Sequence, residues 1–300
     1  IIPYFYGDNI FFEDAFQIYS KISPNNLQFS LDIYDSILVK IPESSLITEA
    51  QFRLAEIQYK IIEDFDKAST LYINALSKNP PMKLKKNIIL RIADVLLAKG
   101  EHKNSIAFLD SVYNIYQIQE IKDKLVEVHL FSGNPDTALS IISEIFSSIT
   151  PINNSFNDLM EVRDIINYYY TDLNEYDRKA FKQFLKAEYL LKQRKISEAS
   201  QLLNYTIDEN SALKIIPLIS LRRAILLVKM KKFDQALNQI ASIENSLLGD
   251  KSIIMAGQIY EQFYNDNDKA MEYYMRIINN HTNSIYFEPV RYHIRLLNNS

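Results

Sequence analysis

The chain has no cysteine, which excludes a disulfide framework, a thiol nucleophile and any thiolate metal site. Glycine is nearly as scarce. The five glycines, at 7, 100, 133, 249 and 257, are never closer than eight residues apart. A phosphate-cradling loop or dinucleotide fingerprint needs clustered glycines, so nucleotide-binding α/β folds are excluded, and no Gly-x-Ser-x-Gly elbow occurs. Nor is there a long hydrophobic run. The most apolar stretch, 212–230, is interrupted by Lys214, Pro217, Arg222 and Arg223, so nothing in it spans a membrane. Excess charge is lacking too: 33 Lys+Arg stand against 37 Asp+Glu, a net charge of −4. With no clustered basic and aromatic groove, nucleic acid is not an expected partner. What is present is a globular composition: 47% apolar residues, 20 Tyr and 16 Phe, enough for a buried core and incompatible with disorder.

The dominant signal is an internal repeat. Ala93 precedes Ser105 by twelve residues, and Leu109 and Val112 follow at +4 and +7. The same skeleton returns at Val126…Ala138, Ile142, Ile145, at Ala187…Ala199, Leu203, Thr206, and at Ala224…Ala236, Ile240, Ile243. Two copies are stretched by one residue: Ala55…Ala68, Tyr72, Ala75 and Gly257…Ala270, Tyr274, Ile277. A lone second half, Ala15, Tyr19, Ile22, comes first. From Ala68 through Ser105, Ala138, Ala199, Ala236 and Ala270 the steps are 37, 33, 61, 37 and 34 residues. The long step leaves room for one degenerate copy within 152–180. A period near 34 is that of a helix–turn–helix unit. Positions +4 and +7 share one helix face, and small residues twelve apart fall where two antiparallel helices pass closest. Gly100 and Gly133 are placed to end first helices in a left-handed turn. Pro24, Pro42, Pro80 and Pro151 are placed to follow second helices. Each pair can bury its outer stripe only against the next.

These residues resemble the tetratricopeptide repeat family. The stretches Glu63-Asp64-Phe65-Asp66-Lys67-Ala68-Ser69-Thr70-Leu71-Tyr72 and Asp266-Asn267-Asp268-Lys269-Ala270-Met271-Glu272-Tyr273-Tyr274 are similar to its turn and second helix. The pattern departs from the family in lacking the tryptophan at the repeat start. The resemblance implies an all-α, right-handed α-solenoid of antiparallel helix pairs, a single array over 1–300. Regular repeats are expected at about 45–151 and 180–297, with an irregular helix pair at about 152–180. It also implies that the first helix of each pair lines a concave binding surface. Carried onto this chain, that surface comprises Leu90, Arg91, Asp94, Phe181, Phe184, Glu188, Leu191, Leu218, Leu221, Arg222, Ile225, Val228 and Lys229, with Asn87 and Lys192 at neighbouring wall positions. The Lys/Asn/Arg clamp by which some members hold a terminal carboxylate is absent, since Leu90, Phe184 and Leu221 stand at its positions. In its place Phe184, Leu191, Leu221, Ile225 and Val228 suggest an apolar groove edged by Arg222 and Lys229. Such a groove suits an amphipathic helix or extended apolar segment. Whether it is open or filled by the chain itself is left open by the sequence.

Catalytic groupings are not evident. The four histidines, 102, 129, 281 and 293, are never closer than twelve residues, unlike zinc ligands. Carboxylate pairs such as Glu63-Asp64 fall in turns, as solvated charges do. The basic run Lys214, Arg222, Arg223, Lys229, Lys231, Lys232 and the acidic run Asp158, Glu161, Asp164, Asp172, Glu175, Asp177 read as solvated edges or inter-repeat pairing in preference to a patch for an acidic partner. The expected function is a non-catalytic scaffold without cofactor or metal that binds a protein or peptide. The alternatives are a periplasmic or outer-membrane assembly protein of the same repeat type, and a helical toroid enzyme or regulatory array of a larger enzyme. The layout of Tyr273–Ile278 and Arg291–Leu297 looks like the closing repeats of bacterial envelope proteins of this family, which leans the location toward the envelope. The chain opens at Ile1 with no basic stretch ahead of an apolar segment. A removed leader and a piece of a longer chain are both open, and the repeat pattern already running at residue 10 favours the second.

Overall fold

A computed structural model describes residues 24–40, 46–150, 152–153, 155–209 and 212–298, with side chains from residue 27 onward. All regular structure among them is helical. The half-repeat at Ala15, Tyr19 and Ile22, like Pro42 and Pro151, lies outside the described residues.

The described residues form two compact units. The first runs through Ile166 and also takes Glu188–Lys195. It contains α1 (Pro24–Lys40), α2 (Ile47–Ile57), α3 (Phe65–Ser77), α4 (Met82–Ala98), α5 (His102–Tyr116), α6 (Gln119–Phe131), α7 (Pro135–Phe146) and most of α8 (Phe156–Tyr169). From α1 to α7 each helix packs on the next. The second unit takes Asn167–Ala187 and residues from Ile196 onward. It holds most of α9 (Glu175–Lys192), then α10 (Ile196–Glu209), α11 (Ile216–Lys229), α12 (Phe233–Ala241), α13 (Gly249–Ile259), α14 (Asn267–Asn280) and α15 (Phe287–Leu297). From α10 to α15 the packing is again consecutive.

The repeat register explains this packing. Ala55, Ala68, Ala93, Ser105, Val126, Ala138, Ala187, Ala199, Ala224, Ala236 and Ala270 are each wholly buried. Where α4 crosses α5, Ser105 Oγ donates to the Ala93 carbonyl at 3.3 Å, a contact that only small side chains permit. The stripe behind them is buried as well: Tyr72, Leu109, Ile142, Leu203, Ile240 and Tyr274 lie in the core.

First helices end by one device. Gly100 and Gly133 take φ of +83° and +79°, and the next N–H returns to the carbonyl five residues back, Glu101 to Leu96 and Asn134 to His129. Arg194 and Lys231 occupy the same register position with φ of 64° and 60°, although they carry side chains. In the two stretched copies the additional residue is taken up as a π-helical turn, Gln58–Ile62 after α2 and Tyr260–Tyr264 after α13. The left-handed residue then comes one place later, at Glu63 and Asn265. Asp64 and Asp266 follow it as N-caps, each accepting from a backbone N–H three residues on, Lys67 and Lys269, at 3.0 Å.

Two sequence expectations change. The irregular pair at 152–180 is one helix, α8, followed by a turn. Asp172 is left-handed there, and Asn174 Oδ1 caps α9 by accepting from the N–H groups of Tyr176 and Asp177 at 2.9 and 3.0 Å. Pro24 opens α1 instead of ending a helix, a position where its missing N–H costs nothing. Pro80, by contrast, follows α3 as expected.

Candidate partner-binding wall

In the first unit a line of alternating charges runs across the first helices. Glu56 on α2 pairs with Arg91 on α4 at 3.0 Å, and Arg91 pairs with Asp94 at 2.8 Å. Asp94 meets Lys124 on α6, which also meets Glu127. Glu127 in turn pairs with Lys192, at the end of α9, at 2.9 Å. Tyr72 donates its hydroxyl to Glu56 from α3, and Lys60 pairs with the same carboxylate at 2.7 Å. The line is largely out of water: the Asp94 and Glu127 side chains are only 9% and 6% exposed, whereas Arg91 retains 34%.

Such burial is tolerable only because each charge is paired and hydrogen-bonded. Burial alone would raise the pKa of Asp94, but Lys124, Arg91 and Lys192 hold it well below the usual carboxylate range. Burial alone would lower that of Lys124, but Asp94 and Glu127 raise it above the ordinary lysine value. Arg91 is likewise raised by Asp94 and Glu56 against its desolvation. A general acid or base at neutral pH needs the opposite tuning, toward pH 7. The pairing holds Asp94, Lys124 and Arg91 in their charged forms at neutral pH.

The register makes the line intelligible. A carboxylate directly follows the first small residue in four copies: Glu56, Asp94, Glu127 and Glu188. A basic residue stands two before that small residue at Arg53, Arg91, Lys124 and Arg222. Arg91 and Asp94, two of the residues expected on the wall, pair with each other. Glu56, Lys124 and Glu127 were missed, although the same offset from Ala55 and Val126 points to them.

Residues 188–195 lie against this wall by more than Lys192. The Lys192 ammonium also sits 5.4 Å from the Phe131 ring centre. Arg194 pairs with Glu63 at 3.2 Å and lies 5.7 Å above the Tyr59 ring. Tyr189 approaches His102 Nδ1 with its hydroxyl at 3.3 Å, edge-on to that ring, and packs on the α4–α5–α6 core. Each cation is therefore held twice, by a carboxylate and by an aromatic face. The contacts gather where α2 with its π-turn, α4 and α6 end, near the negative poles of their dipoles.

The apolar groove, whose state the sequence leaves open, is filled by the chain itself. Phe181, Phe184, Leu221, Ile225 and Val228 are between 0% and 4% exposed, and are core side chains. Leu221, Ile225 and Val228 share one cluster with Ala236 and Ile240 of α12 and Ile253 and Ile254 of α13, so the neighbouring pair fills the groove. Glu188 and Arg222 are also buried. Leu90, Leu191 and Leu218 are half-buried, and Lys229 is exposed.

The second unit has a smaller polar cluster. Glu261 Oε2, at the π-turn, accepts from the Tyr274 hydroxyl at 2.7 Å and lies 2.8 Å from His293 Nε2 on α15. Burial would raise the Glu261 pKa, but these two hydrogen bonds bring it below the usual value. The cluster fastens the last helix. Among the described residues no three His, Asp or Glu side chains are grouped to hold a metal. No described helix is long and apolar enough to cross a membrane.

The helices and their register define an all-α repeat protein built from consecutive helix pairs. No protein-family model matches the chain, and no curated protein matches it. Among solved structures it is similar to a tetratricopeptide repeat protein from Parabacteroides merdae. Identity there is 15% over 96% of this chain and 97% of that one, with a TM-score of 0.38. It is also similar to a thermophilic TPR protein of Thermus thermophilus, with 18% identity over 75% and 96% of the two chains and a TM-score of 0.30.

Proposed function

We propose that the protein is a non-catalytic scaffold that binds a protein or peptide on the wall made by its first helices. The observation that supports this most is the grip on residues 188–195. A stretch of polypeptide lies across the ends of α2, α4 and α6 and is held by paired carboxylates and rings. A surface with that chemistry suits peptide recognition. The fixed protonation states of Asp94 and Lys124 suit it too, since a stable charge pattern selects a partner without reacting with it. The burial of Phe184, Leu221, Ile225 and Val228 moves the reading from an apolar partner segment to a charged one.

A photo-reactive residue at Asn87 or Leu90, on the wall side of α4, should give protein adducts in an extract of the source cells. The same group at the exposed Ile73 of α3 should give few. Equal labelling from both positions would overturn the assignment of the wall.

A further inference from the structure

We infer that residues 188–195 are a built-in occupant of a peptide-binding cleft, and that the partner fitting this cleft is a basic segment in which Lys-x-Arg closes a helix. The inference rests on the scaffold reading and names its partner class.

In a stack of helix pairs each pair normally touches only its neighbours. Residues 188–195 depart from this: within one unit they meet Tyr59 and Glu63 of the first full repeat, His102 of the second, and Glu127 and Phe131 of the third. The receiving groups share one chemistry. Glu63, Glu127 and Asp94 supply negative charge, and Tyr59 and Phe131 supply ring faces. Lys192 and Arg194, two residues apart, fill two such carboxylate-and-ring pockets, and Tyr189 rests on His102 between them. Gln193 passes within 3.6 Å of where a side chain on Gly100 would begin, so the segment lies close along the left-handed turn. A segment from another protein with the same spacing of cations would find the same pockets, and would have to displace this one.

The test uses the full chain and a labelled synthetic peptide with the sequence of residues 186–197. Wild type, whose cleft is taken, should bind the peptide weakly. Lys192→Ala/Arg194→Ala should bind it at least tenfold more tightly, and adding Glu127→Ala and Glu63→Ala should return the affinity to the wild-type level. A peptide lacking both cations should not bind. If the double variant keeps its helix content and gains no affinity, the inference falls. If it unfolds, the milder Lys192→Gln decides: a severalfold gain supports the cleft, and none overturns it. Adducts at Asn87 or Leu90 without any peptide gain would leave the scaffold reading standing and remove only the self-occupied cleft.

Discussion

Asp94 is held between Arg91 and Lys124, and its depressed pKa has a definite consequence for stability. A carboxylate whose folded value lies below the unfolded one, about 3.9, contributes stability above that pH and loses it as pH falls toward the folded value. Lys124 is raised, so its contribution is complete below about pH 10.4 and fades only as pH climbs through its folded value. Asp94→Asn should therefore lower stability at pH 7 by roughly 3 kcal/mol, leaving Lys124 poorly paired. The gap to wild type should narrow in urea titrations run below about pH 4. A gap indifferent to pH would contradict the pairing. Gly257 makes a second prediction. A Cβ there would stand 2.5 Å from the Tyr274 ring, so Gly257→Ala should cost about 1–3 kcal/mol, read as a lower melting temperature. The small residues and their stripe were legible in the sequence, because spacing alone puts them at the crossing points. The burial of Phe184 and Ile225 was not: a first-helix position can face a wall or the next pair, and only packing decides which.

The two stretched repeats carry the lesson for whole elements. Thirteen residues in place of twelve between Ala55 and Ala68, and between Gly257 and Ala270, announced an irregularity, and both became π-turns at the same register position. An insertion in a helix whose two ends are already fixed by packing must be absorbed within it, as a widened turn. The Asp caps that follow start α3 and α14. Asp64→Ala and Asp266→Ala should each cost about 1 kcal/mol in denaturant unfolding, with little change in m-value. The middle was less readable. Once α8 stands alone, the step of 61 residues no longer divides into two equal units, and no local pattern marks a missing partner helix.

At the scale of the molecule, the repeat array is not a simple chain of nearest neighbours. The end of α9 belongs with the first unit, where it touches three repeats that lie far ahead of it in sequence. Nothing in the sequence marks this: Lys192 and Arg194 look like ordinary surface charges until Glu127, Phe131, Glu63 and Tyr59 are seen around them. The most direct test compares hydrogen exchange of the full-length wild type with that of Lys192→Ala/Arg194→Ala. Faster exchange at 58–63, 100–102 and 127–131, in all three repeats, is the predicted result. Loosening confined to 186–200 and the adjoining helices would contradict the account.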